Sequence, residues 1–219
     1  MIILKNVTKY FKTKKTYKYI LNNVNICIPS EKNIGILGPN GAGKSTLLRM
    51  LGQIDFPNKG KIESNCTFSW PMGLGNGFQG SMTGRENVKF VCRIYGLKNK
   101  QLKKAISFVE DFAEIGDYFN MPIKLYSSGM KSRLSFGLSL FFDFDYMIID
   151  ETLSVGDQRF QKKSKDMLRD KIKKSKAILV SHSMDTLREI CDVGIYINNG
   201  DITYFDNIEE AIQCYQKNV

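Results

Sequence analysis

Short, nearly continuous apolar runs mark one part of this chain and helix-spaced apolar positions mark another. Asn33-Ile34-Gly35-Ile36-Leu37, Tyr146 to Ile149, Ala177 to Val180 and Val193 to Ile197 are each followed by polar residues, as buried strands of a mostly parallel sheet would be. Met1 to Val7 and Tyr19 to Ile28 flank a basic loop and predict antiparallel strands near the N-terminus. From Thr83 the period changes. Thr83-Gly84-Arg85-Glu86 has the capping-box pattern, and Val88, Phe90, Val91 and Ile94 follow at helical spacing. Further helices are predicted over residues 100–115 and from Tyr126 to Phe142, separated by Met121-Pro122. Gly200 to Tyr204 and a last helix from Ile208 close the core. The expected plan is therefore one α/β domain over 1–219. Residues 1–80 and 143–219 form its core, and a helical insertion over 81–142 interrupts it.

Composition narrows the class. With 42% hydrophobic residues the chain can build a substantial core, and no run reaches the 18 apolar residues that span a bilayer. A chain neither secreted nor membrane-spanning is expected. Five cysteines, odd in number and without C-x-x-C spacing, predict reduced thiols, mostly in the core, rather than a disulfide framework or zinc site. The formal net charge of +10 gathers in three clusters, Lys12 to Lys18, Lys98 to Lys104 and Lys162 to Lys176. Solvated faces account for such runs; the functional reading they best support is contact with an anionic membrane leaflet.

Specific chemistry enters at Gly38-Pro39-Asn40-Gly41-Ala42-Gly43-Lys44-Ser45-Thr46, a complete G-x-x-x-x-G-K-[ST] phosphate-binding loop between a predicted strand and a predicted helix. The glycines let consecutive backbone N–H groups point at phosphate oxygens. Lys44 adds a positive charge for the β- and γ-phosphates, Ser45 a hydroxyl for Mg²⁺, and the helix its positive end. Tyr146 to Ile149 ends in Asp150-Glu151, which suits a magnesium nucleotide hydrolase: Asp150 can hold Mg²⁺ and Glu151 can polarise the attacking water. His182, the single histidine, stands two residues past the strand ending at Val180, where ligands of open α/β sheets bind, so a γ-phosphate contact is expected. Gly75-Asn76-Gly77-Phe78-Gln79-Gly80 satisfies a dinucleotide fingerprint, but Lys100 stands where that motif needs an acid.

Taken in order, these motifs resemble the nucleotide-binding domain of ATP-binding cassette (ABC) transporters over nearly the full chain. The resemblance implies an α/β, P-loop NTPase (RecA-like) core with an N-terminal antiparallel β subdomain and an inserted α-helical subdomain. It also implies residue roles. Gln79 matches the glutamine loop that contacts Mg²⁺ and the transport partner. Tyr126-Ser127-Ser128-Gly129-Met130, with Arg133, resembles the signature that completes the other subunit's ATP site. Ser128 and Met130 replace the usual glycine and glutamine, and Ser127, Ser128 and Gly129 keep a hydroxyl, small side chains and close approach. Ser154-Val155-Gly156-Asp157 resembles the loop that crosses the dimer interface, with glycine where leucine is usual. His182 matches the switch histidine, and Phe11, or its neighbour Tyr10, the aromatic residue that stacks on adenine.

The segment Ser69 to Asn87, together with the Tyr-Ser-Ser-Gly-Met signature, is similar to ATPases of bacterial cell-surface polysaccharide exporters. Without room for an added C-terminal domain, the chain resembles the capsular polysaccharide type rather than O-antigen or teichoic acid exporters. The implied ligands are ATP and Mg²⁺. The implied partners are a second copy, because one phosphate loop and one signature cannot close a site alone, an integral-membrane permease dimer and further capsule-export components. The implied place is the cytoplasmic face of the inner membrane. Direct nucleic-acid binding, as in a soluble ABC ATPase acting on DNA or the ribosome, is not expected, since long coiled-coil insertions or paired cassettes do not fit 219 residues.

Overall fold

A computed structural model describes residues 1–14, 16–72, 77–150 and 157–218. It divides into two compact units, one of Met1–Pro71, Phe144–Glu151 and Ile172–Val219, the other of Met72–Asp143 and Thr152–Lys171. Mixed α/β architecture follows, with the RecA-like core, the antiparallel β layer and the helical insertion in place.

In the first unit β1 (Ile2–Lys12) pairs antiparallel with β2 (Tyr17–Ile28) on one side and with β4 (Lys59–Ser64) on the other. The sequence predicts β1 only as far as Val7. It runs on to Lys12 because Lys9 to Lys12 pair with Leu21 to Tyr17 of β2, and the Lys9 ammonium, on a side chain only 8% exposed, meets the Asp55 carboxylate at 2.6 Å and the Phe56 carbonyl at 2.8 Å. A paired, hydrogen-bonded lysine can occupy a buried strand position that an unpaired one cannot. No strand was expected over β4, whose residues other than Gly60 and Ile62 are polar and which is half-buried or exposed throughout, as an edge strand tolerates.

The second sheet has the order β5-β6-β3-β7-β8, with β3 (Ile34–Leu37), β5 (Tyr146–Ile149), β6 (Lys176–Val180) and β7 (Val193–Asn198) parallel and β8 (Asp201–Phe205) antiparallel at the edge. Every residue of β3 and β5 is buried, which explains their unbroken apolar runs. Helices α1 (Lys44–Leu51) and α7 (Ile208–Lys217) pack on this sheet, and α6 (Met184–Ile190) packs on α7. Asn33 pins the start of β3 between its neighbours: its N–H donates to Asp192 Oδ2 at 2.7 Å and its Oδ1 accepts from the Ala177 N–H at 3.0 Å.

The second unit contains α2 (Gly84–Ile94), α3 (Asn99–Ala113), α4 (Ser128–Phe141) and most of α5 (Gln158–Ile172). The capping box forms at α2, where Thr83 Oγ1 accepts from the Glu86 N–H and Glu86 Oε2 accepts from the Thr83 N–H. Its core is aromatic: the Phe112 ring lies 5.6 Å from that of Phe136 and 5.3 Å from that of Phe160. Although the sequence groups all of 143–219 with the core, Phe160 and the ion pair from Lys163 to Glu114 seat α5 here. Among the cysteines Cys92 and Cys191 are buried, and burial pushes their thiols up to about 11 and about 12; Cys27 is exposed, contrary to a mostly core placement. No helix among the described residues is long and apolar enough to cross a membrane.

Candidate functional site: a phosphate-binding cleft

In the first unit the chain leaves β3 at Gly38 and enters α1 after Gly43. Gly38 has φ +150°, and a Cβ there would strike the Ile197 carbonyl oxygen; Gly43 has φ +109°, and a Cβ would strike the Ile20 side chain. Only glycine fits either position, so no side chain stands between this part of the loop and an approaching anion. No side chain caps the start of α1 and no acid stands in its first turn. The first-turn N–H groups and the positive helix end there suit an anion. Lys44 Nζ donates to the Gly38 and Pro39 carbonyls at 2.6 and 3.0 Å, which hold the ammonium against the loop.

A cleft of about 310 Å³ opens on this loop, lined by Asn40, Gly41, Gly43, Lys44, Ser45 and Thr46. Asp150, immediately after β5, and His182, two residues after β6, form its other wall with Val180. They converge because β6 lies between β3 and β5 in parallel register, which opens all three carboxyl ends on one edge. Amides, an ammonium and the Ser45 and Thr46 hydroxyls opposite one carboxylate and one imidazole fit a nucleotide phosphate accompanied by a divalent ion. Among the described residues no group of three or more His, Cys, Asp or Glu side chains could hold a metal unaided. The hydroxyl of Ser45 and the carboxylate of Asp150 are hard oxygen donors on this cleft, which fits Mg²⁺, an ion that takes few protein oxygens.

Not every expected residue lines this cleft. Phe11 is 47% exposed on β1, with the Lys9 ammonium 5.3 Å from its ring, and Tyr10 packs against Tyr17 and Tyr19. Ile20 of β2 lines it instead. Glu151, Ser154, Val155 and Gly156 lie outside the described residues.

The other candidate residues belong to the second unit. Ser127 caps α4, its Oγ accepting from the Met130 N–H at 3.2 Å, and Ser128 and Gly129 begin a first turn that contains no acid. Asp157 caps α5 with one oxygen, accepting from the Phe160 N–H at 2.9 Å, and pairs with Arg133 of α4 through the other at 3.0 Å. The Phe160 amide and the Arg133 guanidinium hold its carboxyl below the usual carboxylate range, outweighing burial. Gln79 Nε2 donates to Ser81 Oγ at 3.3 Å.

A search against protein families matches residues 21–154, more than half the chain, to the ABC transporter family. The chain belongs to that family. The matched span holds the phosphate loop, Gln79, the α4 cap and Asp150. The cassette is 53% identical over 217 residues to the polysialic acid transport ATP-binding protein KpsT of Escherichia coli, covering 99% of this chain and 96% of that one. It is 40% identical to the capsule polysaccharide export ATP-binding protein CtrD of Neisseria meningitidis, covering 98% of each. Its fold matches a dimeric structure of the ATP-binding cassette MJ0796 bound to ADP and Pi, with a TM-score of 0.76 at 22% identity over 95% of this chain and 99% of that one.

Sequence reasoning missed the residue that fixes the backbone at Gln79. Asn87, 1% exposed in α2, accepts from the Gln79 N–H at 2.7 Å and donates to the carbonyls of Gln79, Met82 and Thr83 at 3.1, 3.2 and 2.9 Å. An asparagine in the first turn of an apolar-faced helix was the available signal, since such side chains there usually bond to nearby backbone. Asn87→Ala unpairs the Gln79 backbone; it is expected to lower kcat for ATP about tenfold with ATP affinity unchanged, equivalent to roughly 1.4 kcal/mol. Steady-state ATPase assays beside nucleotide titrations check this, and an unaltered kcat would show that the clamp is only structural.

Proposed function

We propose that this cassette is the ATP-hydrolysing subunit of a capsular polysaccharide exporter. It works as a homodimer on the cytoplasmic face of the inner membrane, bound to a separate permease dimer and, through it, to further capsule-export components. The observation that carries this is the near-complete mutual coverage with relatives named for polysialic acid transport and capsule polysaccharide export. No large segment of either relative lacks a counterpart here.

In this reading each copy holds one ATP. The loop amides and Lys44 bind and orient the phosphates, and Ser45 with Asp150 would hold Mg²⁺, which would supply positive charge against the phosphates. Glu151 takes a proton from the attacking water, and His182 fixes the γ-phosphate from the opposite wall. Ser127, Ser128 and Gly129 of the second copy present bare helix N–H groups to the same phosphates. Gln79 links closure to the permease. Phe11 remains the candidate for adenine, and Asp157 supports the dimer face by holding α5 to α4.

Expression in an encapsulated Escherichia coli strain lacking its own polysialic acid export ATPase tests the cargo. Surface polymer should return to at least a measurable fraction of the parental level, and polymer trapped inside the cells should fall. If trapped polymer persists although the cassette is produced and hydrolyses ATP, this cargo is wrong.

A further inference from the structure

The three basic clusters are not alike in the folded chain. In the cluster from Lys162 to Lys176, Lys163 and Lys171 are neutralised by Glu114 and Asp143, each at 2.6 Å. The cluster from Lys98 to Lys104 instead joins α2, where Arg85, Lys89 and Arg93 recur every fourth residue and so share one face. Between α2 and α3 this face borders a groove of about 590 Å³. Lys89, Arg93, Lys98 and Lys103 stand exposed on its rim, without an ion-pair partner among the described residues, while Arg85 is held by Glu110. Leu97, Leu102 and Ile106 are its half-buried apolar floor, and no acidic residue lines it.

Four exposed cations around one groove repel each other, and an anion relieves that repulsion. Free phosphate would use the rim but not the floor. Single-stranded nucleic acid would need stacking aromatics, and the groove has none. An amphiphile with an anionic head and an apolar stem uses both, and the volume is of the size that holds a small ligand. We infer that the α2–α3 groove binds the phosphate headgroup of an anionic membrane lipid, with the first methylenes of its chains on the Leu97, Leu102 and Ile106 floor. The cassette thereby touches the membrane surface directly, beyond its proposed attachment through the permease and independently of it.

Co-sedimentation of the full-length chain with permease-free vesicles tests this, using phosphatidylcholine with and without phosphatidylglycerol. Binding should require the anionic lipid and weaken about fivefold for each charge removed, so that Lys89→Gln with Arg93→Gln loses more than tenfold. Lys98→Gln serves if that pair disturbs folding. Leu102→Ser, which leaves charge unchanged, should weaken binding about fourfold. The control Lys162→Gln with Lys165→Gln should leave it unchanged. Equal losses from control and groove variants would reduce the effect to net charge and overturn the site. Indifference to Leu102→Ser, or full competition by inorganic phosphate, would make it a phosphate site. Capture of an acidic amphipathic peptide without vesicle binding would assign the groove to a protein. ATPase activity is measured alongside, so loss of lipid binding is separable from failure of the nucleotide site.

Discussion

Lys44→Ala is expected to reduce ATP turnover by about 10²–10³-fold, the usual loss when one donor aimed at developing charge is removed from a dry, preorganised site. The loss follows from geometry. Lys44 is the ammonium of the cleft, and the Gly38 and Pro39 carbonyls already hold it against the loop. Binding should weaken as well, because the same charge meets the β- and γ-phosphates in the ground state. Stability should barely move: the side chain is half-buried, and solvent entering the cleft can satisfy the two freed carbonyls. Phosphate release measured beside thermal unfolding separates these effects. Turnover within tenfold of the parent chain would remove Lys44 from the phosphate site.

Glu151→Gln should have a different signature. Glutamine keeps the size and hydrogen-bonding capacity of the side chain but cannot take up a proton, so hydrolysis should fall by about 10²–10⁴-fold while ATP still binds. A dimer that closes on ATP and reopens only after hydrolysis should then accumulate. Light scattering with ATP should report twice the monomer mass for the variant and a smaller, transient dimer fraction for the parent. Normal hydrolysis in the variant would refute Glu151 as the base, and lost hydrolysis without a stable dimer would break the proposed coupling. The basis is its place beside Asp150, which lines the cleft at the end of β5.

Legibility in the sequence varied with how local the cause was. β5 spans the predicted residues, because a four-residue run buried on both faces has no other use. The α2 cap was readable for the same reason: Thr83 and Glu86 satisfy each other's neighbouring N–H groups within one turn. β4 was not readable, since Lys59–Ser64 is a mostly polar edge segment with a single large apolar residue, Ile62, and it extends by pairing with β1. Nor was the continuation of β1 to Lys12, which comes from pairing with the start of β2 and buries a lysine that Asp55 neutralises. The placement of α5 depended on aromatic contacts that no periodicity encodes.

The sequence by itself determined the phosphate loop, the acidic strand end, the isolated histidine, the order of the family motifs and hence the kind of ligand. Those features are written in spacing and residue type over a few consecutive positions, and backbone geometry makes them local. Tertiary structure alone decided which of them share a cleft: Asp150 and His182 face Lys44 because parallel β3, β6 and β5 carry their ends to one edge. It alone showed that Asn87 clamps the backbone of Gln79, since a buried amide must find its partners in the fold. It also separated a basic cluster neutralised in part by ion pairs from one that rims an apolar groove. Charge is counted along the chain, but what it does depends on the carboxylates and apolar side chains that folding brings beside it.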